Sequence, residues 1–210
     1  TDKPAGPYTA QMLAGDTAAL LEALGIEQAA IMGHSMGGFI AQALVLSRPE
    51  LVSKLILAAT NFGGPHHVPI TPEAMAVLTD MQSDPIERLR RGIVIGTAPG
   101  YAEEHPEIID EWVTYRIQHP IDPAGYQAQL QIGLALMAEA ASFEHKLKEV
   151  KTPTLILFGE HDKVVPPGNA ELLHKEIASS AVKILPNAGH FFPFEVPDEA
   201  VEAVIEFLKA

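Results

Sequence analysis

The sequence predicts an α/β fold in which a parallel sheet is flanked by helices. Short runs of residues that are apolar throughout alternate with longer segments whose apolar side chains repeat at helical spacing. Such strands are typical of parallel sheets covered on both faces, and their alternation with helices is typical of α/β architecture. The chain has 210 residues, of which 47% are hydrophobic and 20% charged, so it is long enough to bury a core without disulfides.

The first predicted elements are a helix, a strand and a second helix. The first helix begins after Thr9, whose side chain suits an N-cap, and ends at Gly25, which adopts the left-handed conformation at low cost. The apolar run at 29–32 indicates a buried strand. The apolar segment at 39–46 is long enough for a helix, and it ends before Pro49.

Three more strands and two helices complete the predicted sheet domain. Apolar runs at 55–59, 153–159 and 182–186 indicate the strands, and a helix is expected between the last two. The final helix begins at Pro197, which is followed by two acidic residues in the first turn, where the helix dipole favours them.

A long insert separates the second of the four strands from the third. It contains no convincing strand, and four helices are predicted at 72–81, 84–95, 101–118 and 122–141, with breaks at Pro99-Gly100 and at Pro120. We therefore predict two parts: a sheet domain formed by residues 1–62 and 151–210, and a helical cap formed by residues 63–150 over the edge of the sheet.

Composition excludes several classes of protein. With 14 basic and 27 acidic residues the net charge is −13, which argues against binding to nucleic acid or to an anionic membrane surface. No apolar run approaches the roughly eighteen residues of a membrane span. The chain has no cysteine, which excludes disulfide scaffolds, iron–sulfur clusters and a cysteine nucleophile. His66-His67 lacks a third ligand at helical or hairpin spacing, so no metal is expected.

The sequence Gly-His-Ser-Met-Gly-Gly at 33–38 lies between a predicted strand and a predicted helix. It matches the G-x-S-x-G pattern, in which a serine sits on a tight strand-to-helix turn with its oxygen exposed. The residues two positions away on each side, Gly33 and Gly37, are expected to be small because side chains there would collide with neighbouring elements. The helix N-terminus points at the site, and the N–H of Met36 is the predicted donor to a developing oxyanion.

A serine hydroxyl needs a general base, and the base needs a group that orients it. Asp162 follows the third predicted strand and His190 follows the fourth, so both are expected with Ser35 at the carboxyl edge of the sheet. Glu160 is the alternative acid and His161 the alternative base. His161 stands beside the acid in the sequence and is the poorer choice.

These motifs, the helical insert and the last helix together resemble the α/β-hydrolase superfamily over essentially the whole chain. The resemblance implies that Ser35 is the nucleophile, that His190 is the general base and then acid, and that Asp162 orients His190. Asn61 follows the second strand, at the alternative acid position of some relatives. Because it is an amide, it cannot stabilise the imidazolium as a carboxylate would.

The resemblance implies a serine hydrolase that cleaves a small-molecule carboxylic ester or lactone through an acyl-enzyme, without a cofactor. The Gly-His-Ser-Met-Gly-Gly form is commonest among esterase-like and lactonase-like relatives. A carbon–carbon bond hydrolase and a cofactor-free haloperoxidase remain alternatives because they reuse the same three residues. A non-catalytic ligand-binding protein of the same fold is a further alternative. The lack of cysteine and of a visible signal peptide favours the cytoplasm.

Five residues are candidates for the substrate pocket: His34, Trp112, Arg116, Met137 and Val164. Trp112 and Arg116 lie four residues apart on one helical face, where they could hold a substrate carboxylate. The alternative is an arginine extended over the tryptophan ring at the surface. Methionine and aromatic side chains in the insert suit an apolar pocket.

The chain departs from the superfamily pattern at its start. The superfamily's earlier strands, and the loop that normally gives the second oxyanion N–H, are absent, and residues 1–8 resemble the stretch that follows them. The strand at 29–32 is therefore expected at an open edge, which invites pairing with another segment. Loss of one oxyanion donor costs about 3 kcal/mol of transition-state stabilisation. We expect a preceding segment that completes the sheet, supplied by a separate polypeptide, another part of the gene product or a neighbouring copy.

Overall fold

The computed structural model describes residues 6–80 and 82–210, and it confirms the α/β fold class. Its strands are β1 (Ala29–His34), β2 (Val52–Ala58), β3 (Thr154–Gly159) and β4 (Ser180–Leu185). They form a four-stranded parallel sheet in the order β1-β2-β3-β4. All four carboxyl ends therefore point to the same edge, as the sequence analysis required for Ser35, Asp162 and His190.

Helices cover both faces of the sheet, which explains why the central strands are apolar throughout. The flanking helices are α1 (Ala10–Ala23), α2 (Met36–Ser47), α8 (Gly168–Glu176) and α10 (Pro197–Lys209). Leu55 and Leu57 of β2 belong to the core cluster that includes residues of α1, α2 and α8. Ile56 and Ala58, which point to the opposite face, belong to the cluster that includes residues of α10.

The insert is helical, as predicted, but its helices have different limits. They are α3 (Pro72–Leu78), α4 (Pro85–Gly96), α5 (Tyr101–Glu104), α6 (Pro106–Gln118) and α7 (Pro123–Leu136). The single helix expected at 101–118 is divided because Pro106 disfavours a helical conformation at the preceding residue, and His105 lies at φ −129° and ψ 53°. The helix expected at 122–141 ends at Leu136, and a separate 3-10 turn follows at Glu139–Ala141. The predicted helix end at Met81 and residues 1–5 lie outside the described residues.

The insert packs partly on itself and partly on the sheet domain. Ile93, Ile109 and Val113 form a cluster of their own with Tyr101. Ile132 and Leu136 of α7 instead belong to the main core. The predicted cap thus packs on the sheet domain through α7, and also through Phe143 and Leu147 after it. None of the described helices is both long and apolar enough to cross a bilayer.

The first strand, β1, is less buried than its neighbour β2. Within the described residues β1 is the first strand of the sheet and pairs with β2. Met32 of β1 is 46% exposed, whereas β2 residues Leu55 and Leu57 are fully buried. The strand that leads to Ser35 therefore presents an open edge in the part of the chain described here.

Candidate active site

Ser35 is the single residue between β1 and α2. It has φ 53° and ψ −120°, a conformation that non-glycine residues rarely adopt and that costs about 1–3 kcal/mol. Its N–H donates to the carbonyl of Ala58 at 2.9 Å, so the end of β2 holds the turn in place. Met36 begins α2, so its N–H lies in the first turn, where the helix itself offers no acceptor.

Two glycines permit the close approach of the elements around this turn. A Cβ on Gly33 would lie 2.3 Å from the carbonyl oxygen of Gly37, and a Cβ on Gly38 would lie 2.3 Å from Oγ1 of Thr60. A Cβ on Gly37 would meet nothing within 4 Å. The expectation that Gly37 must be small was therefore wrong. The second crowded position is Gly38, because the first turn of α2 directs position 38 rather than 37 toward Thr60 in the loop after β2.

Replacing Gly33 with alanine is expected to destabilise the protein by about 3 kcal/mol or more, because the new methyl group would overlap backbone that cannot move aside. Gly37→Ala is the matched control, since its methyl group enters open space and alanine favours a helix. Urea unfolding of the two variants measures the difference. Equal midpoints would contradict this account of the turn.

A chain of hydrogen bonds connects Ser35, His190 and Asp162. His190 Nε2 lies 3.1 Å from Ser35 Oγ, and His190 Nδ1 lies 2.8 Å from Asp162 Oδ2. The other carboxylate oxygen, Oδ1, accepts from the N–H groups of Val164 and Val165 at 2.8 and 2.7 Å. His190 and Asp162 are only 5% and 3% exposed. An ionised carboxylate only accepts, so Nδ1 carries the proton and Nε2 can accept from the serine hydroxyl.

The alternative acid and base lie apart from this chain. His161 Nε2 is 3.7 Å from Glu160 Oε2, and both side chains are exposed. The structure therefore brings together the three residues preferred from the sequence and leaves their two rivals at the surface. Asp162 is turned inward because its Oδ1 accepts from the two N–H groups of the loop that follows β3.

His34 contacts His190 and is absent from the lining of the cavity beside Ser35 that is described below. Its Nε2–H donates to the backbone carbonyl of His190 at 2.9 Å, and the two ring centroids are 4.9 Å apart. Burial and the nearby His190 lower the pKa of His34, which favours a neutral ring. In the structure His34 therefore supports the backbone of His190, and its contact with substrate stays a prediction.

Glu195 ties the His190 loop to the end of α4, a role the sequence analysis missed. Glu195, the last residue of the short helix α9 (Phe192–Glu195), accepts from Ala98 N–H at 2.6 Å and from Gly189 N–H at 3.0 Å. The carbonyl of Gly96 in turn accepts from the N–H of His190 at 2.7 Å. Burial raises the pKa of the Glu195 carboxyl. An acidic residue within the apolar stretch 191–196 was the available sign of a bonded carboxylate.

Glu195→Gln is expected to lower the free energy of unfolding by about 1–3 kcal/mol. Both carboxylate oxygens accept from backbone N–H groups, so an amide NH₂ at either position would face a donor. Glu199→Gln, at an exposed position in the first turn of α10, is the matched control. Thermal unfolding followed by circular dichroism compares the two variants. Equal midpoints would argue that the two hydrogen bonds to Glu195 do not stabilise the fold.

A cavity of about 330 Å³ opens beside Ser35 and Met36. Its walls are formed by α2, by the loops after β2 and β3, and by one face of α7 with the residue that follows it: Phe39, Thr60, Asn61, His67, Ile70, Tyr126, Gln129, Leu130, Gly133, Met137, Val164 and Val165. Met137 and Val164 line it as expected from the sequence. The spacing of residues 126, 129, 130, 133 and 137 follows one helical face and could have revealed the whole wall.

Trp112 and Arg116 are not part of this lining. The Trp112 ring packs edge-on against Phe191 and Phe194, with centroids 5.8 and 5.4 Å apart. The structure therefore places these two α6 residues outside this cavity, and their contact with substrate stays a prediction. They lie outside it because α6 packs beside the His190 loop, whereas α7 supplies the wall that faces Ser35.

Residues 1–197 match the family described as alpha/beta hydrolase fold. A 2-hydroxy-6-oxononadienedioate/2-hydroxy-6-oxononatrienedioate hydrolase of Burkholderia vietnamiensis is 28% identical over 203 residues, or 95% of this chain and 67% of the relative. A second such hydrolase, from Paraburkholderia phymatum, is covered to 65%. The chain thus spans about two thirds of the length of the curated relatives it matches.

Solved structures also superpose on this chain over nearly its whole length. The enol-lactonase from Burkholderia xenovorans LB400 superposes with a TM-score of 0.79 at 25% identity, covering 100% of this chain and 76% of that one. A thermophilic esterase from Thermogutta terrifontis superposes with a TM-score of 0.75 at 27% identity, covering 99% and 75%. Because the family match extends over most of the sequence and these structures share its fold, the chain belongs to the alpha/beta hydrolase fold family.

Proposed function

We propose that the protein is a serine hydrolase that cleaves carboxylic esters or lactones through an acyl-enzyme. The observation that carries the proposal is the hydrogen-bonded sequence Asp162–His190–Ser35, with Ser35 at the wall of the cavity. A serine so connected has its proton acceptor and the orienting carboxylate already in place.

The proposed reaction has two stages. Ser35 Oγ attacks the substrate carbonyl while His190 Nε2 takes its proton, and the N–H of Met36 stabilises the negative charge on the carbonyl oxygen. His190 then protonates the departing alkoxide, which leaves an acyl group on Ser35. Water, deprotonated by His190, attacks this ester and releases the acid. Asp162 stays ionised and stabilises the imidazolium in both stages.

The cavity supports small to medium substrates with apolar parts. Most side chains that line it are aliphatic, aromatic or methionine, and its volume of about 330 Å³ is at the small end for ligand sites. The enol-lactonase and esterase similarities support the same substrate class.

Hydrolysis of a carbon–carbon bond is the second candidate, because the curated relatives described above are named for 2-hydroxy-6-oxo dienedioate substrates. The same three residues serve that chemistry if the departing carbon can accept an electron pair. The substrates of the relatives are dianions, whereas the cavity lining among the described residues contains no lysine or arginine to pair with a carboxylate. That contrast supports the ester or lactone reading.

The test compares kcat/KM for p-nitrophenyl butyrate, a simple enol lactone and 2-hydroxy-6-oxononadienedioate. Turnover of the ester or lactone above the dienedioate is the expected result. A preference for the dienedioate would favour the second candidate. No turnover of any of them, together with no labelling of Ser35 by a fluorophosphonate, would reject both and favour a binding protein.

A further inference from the structure

We infer that the side-chain amide of Asn61 is a substrate-binding donor, which selects substrates carrying a second oxygen acceptor apart from the reacting carbonyl. The inference rests on the proposed function and deepens it. It assigns a binding role to a residue that the sequence analysis considered only as a replaced acid.

Asn61 is placed at the cavity by the end of β2. It lies three positions after Ala58, the last residue of that strand, and it lines the same cavity as Ser35 and Met36. Only 9% of its surface is exposed. Its backbone carbonyl accepts from Nε2 of Gln42, a buried residue of α2, at 2.8 Å. The residue is therefore fixed relative to the helix that follows Ser35.

The orientation of the Asn61 amide is determined by one hydrogen bond. The N–H of Gly63 donates to Oδ1 of Asn61 at 2.7 Å. Because a backbone N–H can only donate, the atom it meets must be the oxygen and not the nitrogen. The NH₂ group consequently forms the other end of the side chain.

The two N–H donors of Asn61 Nδ2 have no partner in the part of the chain that the structure describes. None of the hydrogen bonds among residues 6–80 and 82–210 involves them. Oγ1 of Thr60, on the same wall, is fully buried and has no hydrogen-bond partner. Nδ2 of Asn61 is not among such fully buried atoms, so it remains accessible. An amide that is mostly buried, held at one end and accessible only at the other presents its donors to the cavity.

The rest of the wall indicates why this donor selects substrates. Ile70, Leu130, Met137 and Val165 are apolar, so most of a substrate contacts hydrocarbon. An acceptor that meets an amide N–H in such surroundings gains a hydrogen bond, and a substrate without it leaves the donor desolvated and unpaired. The preferred class is therefore neutral esters or lactones with an additional ether, oxo or hydroxyl oxygen.

The experiment uses pairs of p-nitrophenyl esters of equal chain length in which one ester has an ether oxygen where the other has a methylene group. The pairs are methoxyacetate against butyrate, and 3-methoxypropionate against valerate. The quantity compared is the ratio of kcat/KM within each pair, since intrinsic reactivity cancels between protein variants. Asn61→Asp keeps the acceptor for Gly63 but loses both donors, and Asn61→Leu removes the donors without adding charge. Both variants are expected to lower the ratio about tenfold for at least one pair, as loss of one hydrogen bond predicts.

Gln131→Glu is the control for added charge, because Gln131 is an exposed residue of α7 outside the cavity lining. It should leave both ratios unchanged. Ratios that stay within twofold of wild type in both Asn61 variants would overturn the inference.

Binding separates this inference from the proposed function. In the Ser35→Ala background, ligand-observed NMR gives the affinity for each ester without turnover. If the preference for the ether esters disappears with Asn61→Asp while the wild-type protein hydrolyses none of the esters, the hydrolase would be rejected and the subsite kept. Equal affinity within each pair in the Ser35→Ala protein would overturn the subsite.

Discussion

Replacing Ser35 with alanine is expected to reduce kcat for p-nitrophenyl butyrate by about 10⁵-fold or more, the largest effect of any substitution considered. In the proposed reaction Ser35 Oγ forms the acyl bond, and His190 Nε2, at 3.1 Å, takes its proton. The methyl side chain of alanine fits the same turn, although the positive φ of 53° is no easier for alanine than for serine. Folding should therefore be little changed.

The measurement combines steady-state kinetics with intact mass after fluorophosphonate treatment. Wild type should gain one probe adduct, and Ser35→Ala should gain none. Ser47→Ala, a change of the same kind at the exposed end of α2, is the control and should keep both activity and labelling. A Ser35→Ala protein that still hydrolyses the ester within a hundredfold of wild type would contradict the assigned nucleophile.

Replacing Asp162 with asparagine is expected to lower kcat by about 10⁴-fold while the fold is retained. In the structure Oδ1 accepts from the N–H groups of Val164 and Val165, so the amide oxygen of asparagine will take that position. The amide NH₂ then faces His190 Nδ1 and can only donate to it. This forces the proton of the neutral ring onto Nε2, which can no longer accept from Ser35.

Asp198→Asn is the matched control, because Asp198 lies at an exposed position in the first turn of α10. Thermal midpoints of the two variants show whether the fold persists, and kcat shows the chemistry. Asp162→Asn with activity within tenfold of wild type would mean that another carboxylate orients His190. A double variant with Glu160→Gln, the rival acid from the sequence, would then identify it.

The sequence by itself determined the fold class and the arrangement of the reacting residues. The central strands β2 and β3 carry apolar side chains on both faces where helices cover them, and this is readable in the sequence as a continuous apolar run such as residues 55–58 of β2. Parallel strands carry their carboxyl ends to one edge, so residues that follow three of them, Ser35, Asp162 and His190, had to lie near one another. Local pattern and topology were sufficient for these inferences.

The limits of the helices in the insert were less readable. Pro106 divides the helix expected at 101–118, since the residue before a proline avoids the helical conformation. Proline is also favourable in the first turn of a helix, and in the structure Pro106 begins α6.

Only the tertiary structure decided which side chains surround Ser35. Gly38, not Gly37, is the crowded glycine because Thr60 approaches from the end of β2, and that approach depends on packing between α2 and the sheet. Trp112 contacts Phe191 and Phe194 because α6 lies beside the His190 loop.

The roles of Glu195 and Asn61 likewise depend on partners distant in the fold or on the direction of a single hydrogen bond. Glu195 meets Ala98, which is 97 residues away in the chain, and Asn61 is oriented by Gly63. Periodicity and motif report which face of an element is apolar and which residue types stand at a strand end. They do not report which elements meet across the cavity, because that is fixed by the simultaneous packing of all of them.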